Sequence, residues 1–375
     1  MKSILAIALF WTTMAIVFAQ GNHVRVEVSS DVDTSDADIA QIIRLMENYL
    51  NSNPDSVYQN PYWVESEQRL YRPFDLVAHT GGRSLYEELS QYRIIVFGIS
   101  MIDEAYIAET AFFRLQGSDP WQFNLTRVVL TGASQDEGRY KLCNALFINT
   151  LRWRREEVGS IKFVFPPDQL FDRAIAERMN RFVDSLTTLW QIQTLPITYY
   201  FADDFNTVKM AFGIKYQIPY DLQRPRMVID SSNRFVYSEG LTDWDPHELV
   251  RIYLSSLFPD ANDYFREGYA TFVGGYGGHD FSWHIKGLCE SLKRNQELDL
   301  FAFLDLSTTM GAKRFIGGLL CKEAEVQGGL DAIRTLMTYG SGDEDFYRAI
   351  RDVFGISSNK LDEFLKAKLV EFATR

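Results

Sequence analysis

From Pro246 to the end of the chain, apolar residues recur at helical spacing in segment after segment, with Gly, Asp and Ser between them, and nothing reads as a strand. Between Arg93 and Phe165 the texture is the opposite: β-branched and aromatic runs are punctuated by Gly98, by Gly117-Ser118-Asp119-Pro120 and by glycines from Gly132 to Gly138. A chain that segregates strands and helices in this way is restricted to α+β architecture. The expected layout is an N-terminal helix plus a curled antiparallel sheet module, then a second domain with a mixed sheet followed by a C-terminal helical bundle.

Within this frame, Ser35 and Asp38 make a capping-box-like start to a first helix carrying Ile39, Ile42, Ile43, Met46 and Tyr49, and a short helix is expected over 84–91. Strands are expected at 94–97, 105–115, 127–130 and 140–153, then at 160–165. Pro166-Pro167-Asp168 opens a packing helix, with its apolar face on Phe171, Ile175, Met179, Phe182, Val183 and Leu186. Further strands at 196–201, 227–229 and 234–237 enclose a helix at 205–212. Helices then follow at 246–257, 262–273, 281–295, 312–326, 330–337, 344–354 and 361–372.

Residues 1–20 read as a signal peptide: Lys2 supplies the charge, Ile4 to Phe18 is mostly apolar, and Val17-Phe18-Ala19 precedes the cut. A membrane anchor is the alternative, disfavoured because the apolar run is short and Gln20, Asn22 and His23 follow at once. The expected domains are an accessory α+β module over 21–159 and a second domain over 160–375, with a sheet part at 160–244 and a helical part at 245–375. The mature protein is expected to be secreted or periplasmic, with no transmembrane segment after signal removal. The net charge of −12, or −13 once Lys2 is removed, argues against nucleic acid as a partner. Cys143, Cys289 and Cys321 lack metal-type spacing; they are either three buried thiols or one Cys289–Cys321 bridge with a thiol left over.

One stretch carries candidate chemistry. Asp245-Pro246-His247-Glu248-Leu249-Val250-Arg251 is most of the H-E-x-x-H arrangement, in which two histidines one turn apart bind zinc and the intervening Glu takes a proton from the metal-bound water. The second histidine is replaced by Arg251, which has only donors and stays protonated. Taken alone, the stretch is equally well a helix start, with Asp245 as N-cap, Pro246 first in the helix and Glu248 as the capping acid.

Glu267 changes the weighing. His247-Glu248-Leu249-Val250 followed by Glu267-Gly268-Tyr269-Ala270-Thr271-Phe272 resembles the gluzincin (peptidase MA-like) zinc metallopeptidases, mainly over residues 196–280. In that family a Glu on the next helix, in an E-G-x-A-x-[YF] setting, completes a His, His, Glu set. The resemblance implies a zincin-like second domain, with His247 matching the first metal ligand, Glu248 the general base and Glu267 the third ligand. It also implies zinc, which with two ligands in place is expected to bind weakly or not at all. His284 is either a substitute ligand or a packed histidine beside Phe281, Ile285 and Leu288.

Arg251 can also be read as the metal's replacement, its charge pairing with Glu248 or Glu267. That places it within ion-pair distance of Glu267. Three functions are therefore carried forward, and whether the chain is an enzyme stays open. It is an exported metallopeptidase homologue with an impaired site, a pseudoenzyme binding a peptide or protein in the old cleft. Alternatively it is an active zinc peptidase using His247, Glu248, Glu267 and a further ligand, or a structural envelope or interaction protein.

Overall fold

The computed structural model describes residues 24–52, 60–67, 89, 91–115, 123–217, 227–231, 233–241, 246–294, 300 and 309–374. The signal-peptide region, most of the expected 84–91 helix and Asp245 lie outside them. The chain forms two compact units: Met1–Arg152 with Asn206–Pro225, and Trp153–Phe205 with Arg226–Arg375. The division thus falls at Arg152 rather than at residue 159, and the second unit is interrupted by a segment that returns to the first.

In the first unit, strands β1 (Val26–Val28), β2 (Tyr92–Ile102), β3 (Ala105–Leu115), β4 (Phe123–Asp136) and β5 (Arg139–Asn144) lie side by side in chain order, and β9 (Ile214–Gln217) also pairs with β4. The β1–β2 pair is parallel and the others antiparallel. Register shifts between Val96 and Gly98 and between Phe112 and Phe113 insert extra residues, which curl the sheet. Helix α1 (Ala37–Leu50) lays Ile42, Met46 and Leu50 on a core shared with Ile94, Val96, Phe112 and Leu142. Its N-cap is Asp36, whose carboxylate accepts from Asp38 N and Ile39 N, so the start falls one residue after Ser35.

Two expectations are corrected here. The strand expected over 140–153 stops at Asn144, whose side chain accepts from Leu146 N at 2.7 Å and caps the short helix α2 (Ala145–Asn149). A capping amide offers the backbone a turn where hydrophobic pattern alone suggested a continuing strand. The strand β9 was not expected at all, because four residues with two exposed positions carry little periodic signal.

The second unit holds a five-stranded sheet in the order β10-β11-β8-β7-β6, made of β6 (Arg154–Val158), β7 (Ile161–Phe165), β8 (Ile197–Ala202), β10 (Met227–Asp230) and β11 (Phe235–Glu239). β7, β8 and β11 are parallel, while β6 and β10 run antiparallel at the two edges. Between β7 and β8 the chain crosses over through α3 (Arg173–Trp190), which buries Met179, Val183, Leu186 and Trp190 against the sheet side chains. Its cap is Asp172, accepting from Ile175 N, rather than Asp168. Phe171 sits just outside the helix, stacked on Phe165. After α4 (Phe205–Ala211) and the last two strands come α5 (Pro246–Leu257), α6 (Asp263–Gly274), α7 (Phe281–Arg294), α8 (Thr309–Leu336), α9 (Asp343–Phe354) and α10 (Leu361–Thr374). α8 is broken at Gly329 (φ 63°), close to the expected Gly328-Gly329 separation of two helices.

The architecture is therefore mixed α and β, with two mixed sheets and a C-terminal helical region. β11, the strand that precedes α5, is flanked on both sides and so is not an edge; the edge next to it is β10. All three cysteines are buried free thiols, with no Cys289–Cys321 bridge. Among the described residues no helix is long and apolar enough to cross a membrane.

Candidate functional site

The site is assembled by three helices whose backbones approach closely. Pro246 opens α5, where its missing N–H is no loss. Leu249, Val250, Ile252 and Tyr253 are buried, fixing the rotation of the helix so that His247 and, one turn on, Arg251 share a face. α6 is capped by Asn262, which accepts from Tyr264 N at 3.0 Å and donates to the Gly342 carbonyl ahead of α9. At its other end, a Cβ on Gly274 would strike the backbone of Pro246 and His247. A Cβ on Gly268 would strike Gly317 of α8, and one on Gly317 would strike the carbonyl of Tyr264. The glycine after Glu267 is thus a packing glycine, and the close crossing carries Glu267 in between α5 and α8.

The sequence-selected side chains His247, Glu248, Arg251 and Glu267 converge. His247 is fully buried, its Nδ1 3.3 Å from Glu248 Oε1 and its Nε2 3.7 Å from Glu267 Oε2. Arg251 Nη1 donates to Glu248 Oε2 at 2.8 Å, and its Nε lies 2.6 Å from Glu267 Oε1. One guanidinium therefore spans both carboxylates, in the arrangement expected if the arginine pairs with them. Charge-assisted contacts of this length are the strong kind of hydrogen bond. Burial by itself would raise the Glu248 pKa, but the His247 hydrogen bond and the Arg251 charge outweigh it and bring it down to about 2. Arg251 titrates above its usual range: burial opposes this, and the charges of Glu248 and Glu267 prevail.

A fifth member had not been expected. Arg314, on α8 one turn before Gly317, is 7% exposed; its Nε lies 3.6 Å from Glu267 Oε2 and its guanidinium carbon 4.0 Å above the Tyr276 ring. That stacking satisfies part of a buried cation. The sequence signal for it was an arginine whose helix face is shared by Gly311, Gly317 and Gly318, too small-sided to be a solvated helix surface. With Arg314 the centre holds two carboxylates and two guanidiniums, so its fixed charges balance.

His284 is not brought into this group. Its Nε2 faces the Tyr276 carbonyl at 2.9 Å, it packs on Phe315 at 5.0 Å between ring centres, and burial holds its pKa below the usual value. It is a packed histidine, linked to the site through Tyr276, whose ring stands 5.7 Å from that of His247. His279 lies flat on the exposed Trp283 at 3.8 Å. The hydroxyls of Tyr269 and Tyr253 are engaged away from the centre: that of Tyr269 accepts from Trp190 Nε1, and that of Tyr253 accepts from Leu195 N. Trp244 lies outside the described residues.

Catalytic zinc requires three protein donors around one open position. Here His247 Nε2 and Glu267 Oε2 face one another, but Glu267's other oxygen and Glu248 are held by Arg251, which has no lone pair to give. Among the described residues no group of three or more His, Cys, Asp or Glu side chains is arranged to hold a metal ion. The residues present do not fit a catalytic zinc.

No protein-family model matches this chain, and no curated protein matches it in sequence. Solved structures found similar to it include an M1 zinc metallopeptidase from Deinococcus radiodurans, with TM-score 0.31 and 12% identity, covering 74% of this chain and 63% of that one. A two-domain M1 zinc metallopeptidase mutant bound to L-arginine gives TM-score 0.32 and 11% identity, covering 75% of this chain and 63% of that one. The chain thus spans less than two thirds of the length of either.

Proposed function

We propose that this chain is an exported gluzincin-like metallopeptidase homologue in which a salt bridge has taken the place of the metal, and that it works as a binding or scaffold module instead of a hydrolase. One observation carries the reading: Arg251 bridges Glu248 and Glu267, the residues that match base and ligand in the motif resemblance. A carboxylate held near pKa 2 is a poor proton acceptor at neutral pH, since general-base catalysis works best with a pKa near the operating pH. The centre is also electrically balanced, so its net charge gives no attraction to a divalent cation. Arg251 is the member most open to solvent, at 27% side-chain exposure against 11–13% for the two glutamates. The partner proposed is accordingly a peptide or protein that meets the centre from the Arg251 side.

The test is zinc content by elemental analysis after equilibration with zinc and dialysis, together with turnover of a panel of free-amino and internally quenched peptides. The expected result is zinc far below one per chain and no turnover. Zinc near one per chain, with or without hydrolysis, overturns the proposal.

A further inference from the structure

The separation of His247 Nε2 and Glu267 Oε2, 3.7 Å, is close to the ~3.4 Å expected of two donors each ~2.1 Å from one tetrahedral zinc. Half of a metal site therefore survives in the arrangement of these two atoms. The oxygen concerned has a second neighbour, however: Arg314 Nε, 3.6 Å away, on a guanidinium buried to 7% exposure and held over the Tyr276 ring. Among the described residues neither Arg314 Nε nor Glu267 Oε2 has a hydrogen-bond partner, although both are buried. Arg314 leaves α8 one turn before Gly317, where that helix is locked against α6, so its backbone cannot draw away from Glu267.

The geometry points to Arg314 as a second lock on this centre: together with Arg251 it keeps the surviving His247–Glu267 pair closed to divalent cations. The inference rests on the reading of the centre as metal-free and adds to it. Restoring the missing histidine at 251 would supply the third ligand, yet a divalent ion on Glu267 Oε2 would still lie a few ångströms from a buried, permanently charged guanidinium. Repulsion at that range and in that degree of burial is strong. Arg251→His alone leaves the site closed, and opening it requires neutralising Arg314 as well.

The experiment compares the full-length mature protein with Arg251→His, Arg251→His/Arg314→Gln and Arg251→His/Arg314→Lys, measuring Zn²⁺ affinity by competition with a chromophoric chelator. The Gln double variant is expected to bind one zinc at least about a hundredfold more tightly than Arg251→His, and the Lys double variant, which keeps the charge, to stay at the Arg251→His level. Equal zinc affinity in Arg251→His and the Gln double variant overturns the role of Arg314, as does tight binding by the Lys double variant. Circular dichroism and thermal melts accompany each variant. Should the Gln double variant be unfolded without metal, zinc present during refolding must restore it and must not restore the Lys variant; failure there also overturns the inference. One zinc per chain in the unaltered protein would be a different result, sinking the metal-free reading itself.

Discussion

Gly268 of α6 and Gly317 of α8 meet with no room for a side chain on either: a Cβ at 268 would overlap the backbone of Gly317, and one at 317 would overlap the carbonyl of Tyr264. This crossing sets the distance between Glu267 and Arg314, which are the immediate neighbour and the residue one turn away. Forcing a methyl into backbone cannot be relieved by a rotamer change, so the helices must separate. Gly317→Ala is expected to lower stability by about 3 kcal/mol, at the upper end of overpacking losses. Urea unfolding measures this, and an unchanged midpoint would mean that the helices are not so tightly apposed.

Arg251 stands between two largely buried carboxylates. Removing one partner of such a pair leaves the other charge uncompensated, which is more destabilising than removing both. Arg251→Met should cost roughly 2–4 kcal/mol, reduced from the fully buried range by its partial exposure. Arg251→Met/Glu248→Gln should recover part of that loss. A double-mutant cycle by chemical denaturation checks the sign: coupling between 251 and 248 indistinguishable from zero would show the bridge to be energetically idle.

The helical C-terminal region was legible to within a few residues, because helices such as 246–257 and 361–374, the latter expected at 361–372, carry both periodicity and punctuation. Positions where a side chain competes with the pattern were not. Asn144 diverts a strand into a helix by capping it, and Asp172 starts α3 five residues after the second of the prolines that had suggested its beginning. In the site, His247, Glu248, Arg251 and Glu267 were legible because they sit at fixed spacings within two short stretches. Arg314 was not, since its proximity depends on a crossing between helices far apart in sequence, and two glycines rather than any charge pattern encode it. His284 could be weighed in advance but not placed, because its partner is a backbone carbonyl, which any residue could provide.

Glu248 gives the centre an acid dependence. Its folded pKa, about 2, lies below the usual value of 4.5, so its contribution to stability is present above pH 4.5 and is lost as the pH falls from there towards 2. A shift of that size corresponds to roughly 3 kcal/mol. Glu248→Gln should remove this component: the stability difference between the native protein and the variant should shrink between about pH 4.5 and pH 2. Unfolding free energies at several pH values decide the matter. A difference constant with pH would mean that Glu248 is not held ionised by its partners.

In the first unit a carboxylate behaves in the opposite sense. Residues 62–64 run along β5 through Leu142 N to the Tyr62 carbonyl and Val64 N to the Leu142 carbonyl, and Glu67 ends this attachment by accepting from Asn144 N at 2.6 Å. Burial raises the Glu67 pKa to about 7, against the hydrogen bonds from Asn144 and Trp63 that favour the ionised form. The neighbouring Cys143 thiol, pushed up to about 12 mainly by burial, stays protonated throughout and adds no second negative charge. For a folded pKa above the unfolded value, the contribution is fully present below pH 4.5 and lost as the pH rises through 7. Glu67→Gln keeps an acceptor for Asn144 N without the charge. It should match the native protein near pH 4 and exceed its stability by roughly 2–3 kcal/mol near pH 8. Thermal unfolding of both proteins at the two pH values is the measurement, and a Gln variant no more stable at pH 8 would show that the buried carboxylate is ionised at little expense.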